Sequence, residues 1–162
     1  MPDSVRPIPE GYHSLTPYLA VRGAAEAIDF YTRALGAQER VRMPGPDGRT
    51  IMHAELSIGD SMIMLSDEMP DMDCRSPQAL GGSPVGFALY VEDVDAAFDR
   101  AVGAGATVVQ PVANQFYGDR SGSIEDPFGH KWSLMTHVED VPPAEMKRRM
   151  EEMYSKMGAP AD

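Results

Sequence analysis

The residues best suited to chemistry by type and spacing are His53 and Glu55, in the segment IMHAELSI. Alternate side chains of an extended strand share a face, which places these two about 7 Å apart on the same side. An imidazole acts as a base or a hydrogen-bond donor near neutral pH, and a carboxylate can orient it. We predict that this pair binds a small ligand. The alternative is a polar, solvent-facing edge of a half-buried hairpin, because alternation alone also predicts that.

Three further side chains are candidate ligand contacts. Arg120, in YGDRSG, can hold an anionic or carbonyl group through two hydrogen bonds. A structural ion pair with Asp119 or Glu125 is the alternative for this arginine. Tyr18 and Tyr90 are predicted on equivalent faces of two strands, where a tyrosine can stack on a planar ligand, hydrogen-bond to it, or simply fill a core.

The cysteine and the remaining histidines carry weaker signals. Cys74 is the only cysteine, so no intrachain disulfide or thiolate cluster can form, and its polar setting indicates an exposed loop. His130 lies in the DPFGH turn, where a structural role is expected. His13 and His137 have no partner at a recognised metal-binding spacing. The sequence also lacks the glycine-rich signatures of dinucleotide and P-loop sites.

Charge and length narrow the class of protein. The chain has 162 residues, a common size for one domain, with 25 acidic against 14 basic residues and a formal charge of -11. Such a charge repels nucleic-acid phosphates and anionic lipid. The apolar runs are far shorter than the ~20 residues of a transmembrane helix, and the first residues lack a secretory pattern. We therefore expect a cytoplasmic protein with neither nucleic-acid nor membrane partners.

The elements that must position these side chains occur twice along the chain. The first half is predicted as a strand, a helix and three strands, at about 14–21, 24–35, 38–43, 50–58 and 61–66. The second half repeats this order at about 85–91, 93–103, 106–112, 119–125 and 131–138. Leu19 and Val21 recur seventy positions later as Leu89 and Val91, which indicates an internal repeat. Two such modules must close on each other or on another chain to bury both sheets.

A third helix is predicted over 143–157, between Pro142 and Gly158. Four methionines form one apolar stripe on it: Met146, Met150, Met153 and Met157. This stripe could pack on the chain itself, clamp a dimer, or form a flexible lid over a ligand. The spacing does not separate these alternatives.

The segments TPYLAV, AIDFYTRALGA, MHAELSIGDSMIMLSDE, FALYVEDVDAAFDRAVGAGA and IEDPFGHKWSLMTHVEDV together resemble the vicinal oxygen chelate superfamily. More narrowly, the chain resembles the glyoxalase/bleomycin-resistance proteins and their PhnB-like branch, over about residues 12–142. The resemblance implies an α+β fold in one domain, 1–142, made of two βαβββ modules. These modules span about 12–66 and 84–138, with a linker at 67–83, and a C-terminal amphipathic helix follows at 143–158. It also implies a homodimer and a ligand cleft between the modules, and it leaves open whether each cleft forms within one chain or between two chains.

In that superfamily the cleft commonly holds a divalent metal on four side chains, from the first and last strands of each module. The resemblance places four residues there: Thr16, Met64, Gly86 and Ser133. These residues lack the imidazole or carboxylate donors that a divalent ion requires. We therefore predict no cofactor and no metal at these positions, and expect the cleft to bind a small organic molecule.

The alternative is a metal-dependent lyase, isomerase or dioxygenase with relocated ligands that include His53 and Glu55. A third ligand would then come from His130, His137 or a neighbouring chain, because tight sites usually need at least three protein donors. The sequence leaves open whether the protein is an enzyme.

Overall fold

The computed structural model describes residues 5–158, which form two four-stranded sheets with their helices. The elements of the first module are β1 (Tyr18–Val21), α1 (Ala24–Leu35), β2 (Gln38–Pro44), β3 (Ile51–Ile58) and β4 (Ser61–Asp67). The short helix α2 (Pro77–Leu80) lies in the connection. The second module has β5 (Gly86–Tyr90), α3 (Val94–Gly103), β6 (Thr107–Asn114), β7 (Asp119–Glu125) and β8 (Lys131–His137), and α4 (Pro143–Met157) follows. The predicted α+β fold with repeated βαβββ order is confirmed.

Both sheets have the same topology. Their strand orders are β1-β4-β3-β2 and β5-β8-β7-β6, and in each the first strand pairs in parallel with the last. Helices α1 and α3 lie against each other, and one continuous core contains apolar residues of both modules. Leu19, Leu56 and Leu65 point into this core. The opposite side of each sheet, which we call its open face, carries the alternate residues, such as the exposed Tyr18 and Tyr90.

A buried carboxylate joins the modules. Asp126, 4% exposed, accepts hydrogen bonds from the Tyr31 hydroxyl at 2.6 Å and the Trp132 indole at 2.9 Å. The backbone N–H groups of Phe128 and His130 donate to its other oxygen, each at 2.9 Å. Burial, and then the Asp126 charge, raises the pKa of the Tyr31 hydroxyl well above its usual range. The DFY segment of α1 and the EDPFGH turn are thus held together by one hydrogen-bonded group.

The structure shifts several predicted boundaries. Strand β1 begins at Tyr18 rather than near residue 14, because Pro17 has no N–H for a longer ladder. On β3, the alternation that pairs His53 with Glu55 predicts Met52 on the helix side, but Met52 is exposed and Ile51 is buried instead. A register shift between Met43 and Pro44 on the neighbouring strand accompanies this reversal. The connecting segment contains a 3-10 turn at Pro70–Met72 in addition to α2.

The C-terminal helix α4 forms as predicted but none of its residues is fully buried. Arg149 fixes it to the chain by donating to the Glu139 carboxylate at 2.7 and 2.8 Å and to the Phe116 carbonyl at 3.4 Å. Met157 remains 74% exposed. The other three methionines of the stripe, Met146, Met150 and Met153, are half-buried. No helix within residues 5–158 is both long and apolar enough to cross a membrane.

Candidate functional site

The predicted pair His53 and Glu55 lies half-buried on the open face of the first sheet, and His53 is hydrogen-bonded to both Glu55 and Tyr18. His53 Nε2 is 3.1 Å from Glu55 Oε1, and His53 Nδ1 is 2.9 Å from the Tyr18 hydroxyl. An ionised carboxylate can only accept, so Nε2 carries the hydrogen. In the neutral imidazole, Nδ1 then accepts from Tyr18, which leaves the lone pairs of the Tyr18 oxygen free to accept from another group.

Tyr12 is a member of this cluster that the sequence analysis missed. Its hydroxyl is buried beside Glu55 without a well-aligned hydrogen bond to any described residue. Burial, and then the neighbouring Glu55, raises the pKa of Tyr12 to about 12. Tyr12 and His53 in turn lower the pKa of Glu55, which keeps this carboxylate ionised at neutral pH. A tyrosine in an irregular N-terminal segment gives no pattern that would have indicated this contact.

The structure does not bring Arg120 to the His53 pair. Its guanidinium donates twice to Asp95, at 2.6 and 2.7 Å, and once to Asn114 at 3.1 Å. The partner is therefore neither Asp119 nor Glu125, the ion-pair partners considered from sequence. Asp95 on α3 is close because α3 packs behind β7, a contact between residues distant in sequence. A ligand-binding role for Arg120 would require an anion to compete with this pair.

Tyr90 belongs to a second polar cluster, on the second sheet. Its hydroxyl donates to Asp119 at 2.8 Å, and the other oxygen of Asp119 is 2.7 Å from His137 Nδ1. His137 Nε2 lies 3.0 Å from Asp140. The two carboxylates, Asp140 more than Asp119, raise the pKa of His137 through hydrogen bonds. His137 is thus held within its own module and contacts neither His53 nor Glu55.

A pocket of about 520 Å³ lies between the modules, where β1 faces β5. Tyr18, Leu19 and Phe87 line its walls, and Pro77, Leu80 and Pro84 of the connecting segment lie around it. Of the residues that the sequence predicts to contact a ligand, Tyr18 alone lines this pocket. Its hydroxyl is hydrogen-bonded to His53, which connects the pocket with the pair of His53 and Glu55. Arg75, with an exposed side chain, is the only Arg, Lys, Asp or Glu in the lining. This geometry suits a largely apolar guest.

His130 also lines this pocket, and its position was missed as well. The imidazole is 7% exposed, packs 6.0 Å from the Phe87 ring, and places Nε2 3.1 Å from the Ala20 carbonyl oxygen of β1. The expected structural role is therefore present, because His130 links the second module to the first. Its Nδ1 atom is buried and has no partner among the described residues.

The four positions that the family uses for a metal do not fit one here. Met64 pairs with Tyr18 in the sheet and Ser133 Oγ contacts another serine hydroxyl at 3.1 Å, so thioether and hydroxyl groups stand where charged or imidazole donors are needed. Within residues 5–158, no three His, Cys, Asp or Glu side chains are grouped to hold an ion. His130 and His137 make other contacts and do not supply a third ligand to the His53 pair.

Comparison with known proteins agrees with this architecture. A family model described as the Glyoxalase/Bleomycin resistance protein/Dioxygenase superfamily matches residues 12–134. The chain belongs to this superfamily. An uncharacterized protein of Mycobacterium tuberculosis is 46% identical over 152 residues, covering 92% of this chain and 85% of that protein.

Solved structures of other proteins are also similar to this chain. The crystal structure of TioX from Micromonospora sp. ML1 is 27% identical with a TM-score of 0.60, covering 80% of this chain and 100% of that chain. A PhnB protein from Bacillus cereus, described as a putative 3-demethylubiquinone-9 3-methyltransferase, is 18% identical with a TM-score of 0.60, covering 76% and 99%. At that identity the likeness shows the fold alone. The resemblance recognised from sequence is confirmed at the level of superfamily and fold.

Proposed function

We propose that this protein binds a small organic molecule in the pocket between its two modules, without a metal ion taking part. The observation that carries the proposal is the pocket itself. Its volume of about 520 Å³ falls within the range of small-molecule sites, and such sites are mostly apolar with a few fixed polar groups. The walls have this character, with Tyr18 and Phe87 supplying aromatic surface.

The polar end of the site supports a ligand that carries hydrogen-bond donors. Tyr18 gives its hydroxyl hydrogen to His53, so its oxygen can accept from a ligand. Glu55 accepts from His53 Nε2, which fixes the tautomer in which Nδ1 accepts the Tyr18 hydrogen. The predicted pair would thus act mainly through Tyr18, as groups that position its hydroxyl. Binding alone would suffice for a function such as sequestering a harmful molecule.

A fluorescence titration of chelator-treated protein with 1-naphthol tests the proposal. This probe is an aromatic molecule of two fused rings with one hydroxyl group. Gly86→Leu should weaken binding by at least about tenfold, because its new side chain enters the lined space. The substitution is tolerable, since the added Cβ meets only the Lys131 carbonyl, at 4.0 Å. Gly103→Leu is the matched control, because Gly103 has free space for a Cβ and does not line this pocket.

The proposal is wrong if wild-type protein fails to bind 1-naphthol, if Gly86→Leu binds as well as wild type, or if binding appears only after zinc, nickel, manganese or iron is added. The expected homodimer and cytoplasmic location remain predictions. Light scattering of the full chain tests the first, and a monomeric mass would contradict it.

A further inference from the structure

His130 is the buried polar group of the pocket that the proposed function leaves unused. Its backbone N–H is bonded to Asp126 and its ring rests against Phe87, so both ends of the residue are fixed. The Ala20 carbonyl can only accept a hydrogen bond, so the His130 Nε2 atom beside it must carry a hydrogen. In the neutral ring, Nδ1 is then a lone-pair acceptor.

This acceptor is in an unfavourable state without a guest. Nδ1 is shielded from solvent and unpartnered among residues 5–158, and a buried polar atom that lacks a hydrogen bond is costly. The ring cannot turn to find a partner without breaking the bond to Ala20. His130 lines the pocket, so a bound molecule can supply the partner after a small shift of the atoms that cover Nδ1.

We propose that His130 Nδ1 accepts a hydrogen bond from a hydroxyl or N–H group of the bound molecule, so the pocket selects ligands with an apolar body and a donor. This inference rests on the proposed function and names its ligand class. Tyr18 lines the same pocket, and its oxygen offers a second acceptor. A molecule that offers only acceptors, such as an ether or a ketone, would leave Nδ1 unpaired.

The test compares 1-naphthol with 1-methoxynaphthalene, which has a similar shape and no donor. We expect wild-type protein to bind 1-naphthol about tenfold more tightly, the usual scale for pairing one buried polar group. In His130→Gln, the amide nitrogen can take the place of Nε2 opposite Ala20 while no acceptor remains at Nδ1. This variant should bind 1-naphthol more weakly than wild type and lose most of the preference for 1-naphthol over the ether.

A spectroscopic readout separates recognition from general damage to the pocket. Long-range proton–nitrogen NMR of the His130 ring should show an unprotonated Nδ1 whose resonance moves with 1-naphthol and not with the ether. His13→Gln is the matched control, since His13 is exposed and does not line this pocket.

Equal wild-type affinity for the two probes overturns the inference and leaves the proposed function standing, because the pocket would still bind. An Nδ1-protonated ring, or an unchanged preference for 1-naphthol in His130→Gln, also overturns it. Failure of both probes to bind contradicts the proposed function and the inference together.

Discussion

Tyr31→Phe is the substitution that tests most sharply how the modules are joined. It keeps the buried ring, which is 0% exposed, and removes only the hydroxyl that donates to Asp126 at 2.6 Å. A hydrogen bond to a charged group contributes about 1.5–3 kcal/mol. The carboxylate oxygen would retain only the Trp132 indole as a side-chain donor. We therefore expect the free energy of unfolding to fall by about 2 kcal/mol, or the melting temperature by about 4–8 °C.

Urea unfolding followed by tryptophan fluorescence measures this change, because the single tryptophan, Trp132, lies at the joint. Tyr154→Phe is the control, since Tyr154 is 57% exposed on α4, and its loss of stability should stay within about 0.5 kcal/mol. A fall of less than about 0.5 kcal/mol for Tyr31→Phe, with an unchanged slope against urea, would refute the argument that this buried hydrogen bond stabilises the fold.

Two further predictions concern the second module. The pKa of His137 is raised in the folded protein by its contacts with Asp140 and Asp119. These contacts therefore stabilise the fold fully at a pH below the ordinary histidine pKa. The stabilisation is lost as the pH rises through the pKa that His137 has in the folded protein. The stability difference between wild type and His137→Gln should therefore shrink between about pH 5.5 and about pH 8.5, and a constant difference would contradict this. Gly122→Ala should lower the free energy of unfolding, measured in urea, by about 1–3 kcal/mol, because the added Cβ would lie 2.7 Å from the Phe98 ring. Gly103→Ala is the control and should be neutral or stabilising, because Gly103 has free space for a Cβ. Equal effects of the two substitutions would contradict the packing argument.

The fold was predictable because its signals are local. Alternating apolar residues marked the strands, and the glycine after α1 does adopt the left-handed backbone, at φ 68°, that ends the helix. The face shared by His53 and Glu55 followed from the same alternation. Boundaries were less certain where a single residue decides them, as Pro17 does at the start of β1. The exposed Met52 reflects a register shift that alternation cannot foresee.

The contacts that build the site depend on tertiary packing. The bond between His130 and Ala20 joins residues 110 positions apart, and the one between Tyr31 and Asp126 joins residues 95 apart. Nothing in the spacing of either pair predicts the meeting. The partner of Arg120 could not be predicted for the same reason, because Asp95 is 25 positions away on a helix behind the strand.

The central claim is that a small organic molecule occupies the pocket between β1 and β5. A crystal structure of the metal-free protein with 1-naphthol tests it most directly. We predict electron density for the naphthol rings between Tyr18 and Phe87, with the hydroxyl oxygen within hydrogen-bond distance of His130 Nδ1. Density only elsewhere, such as against His53 and Glu55 on the open face, would contradict the claim.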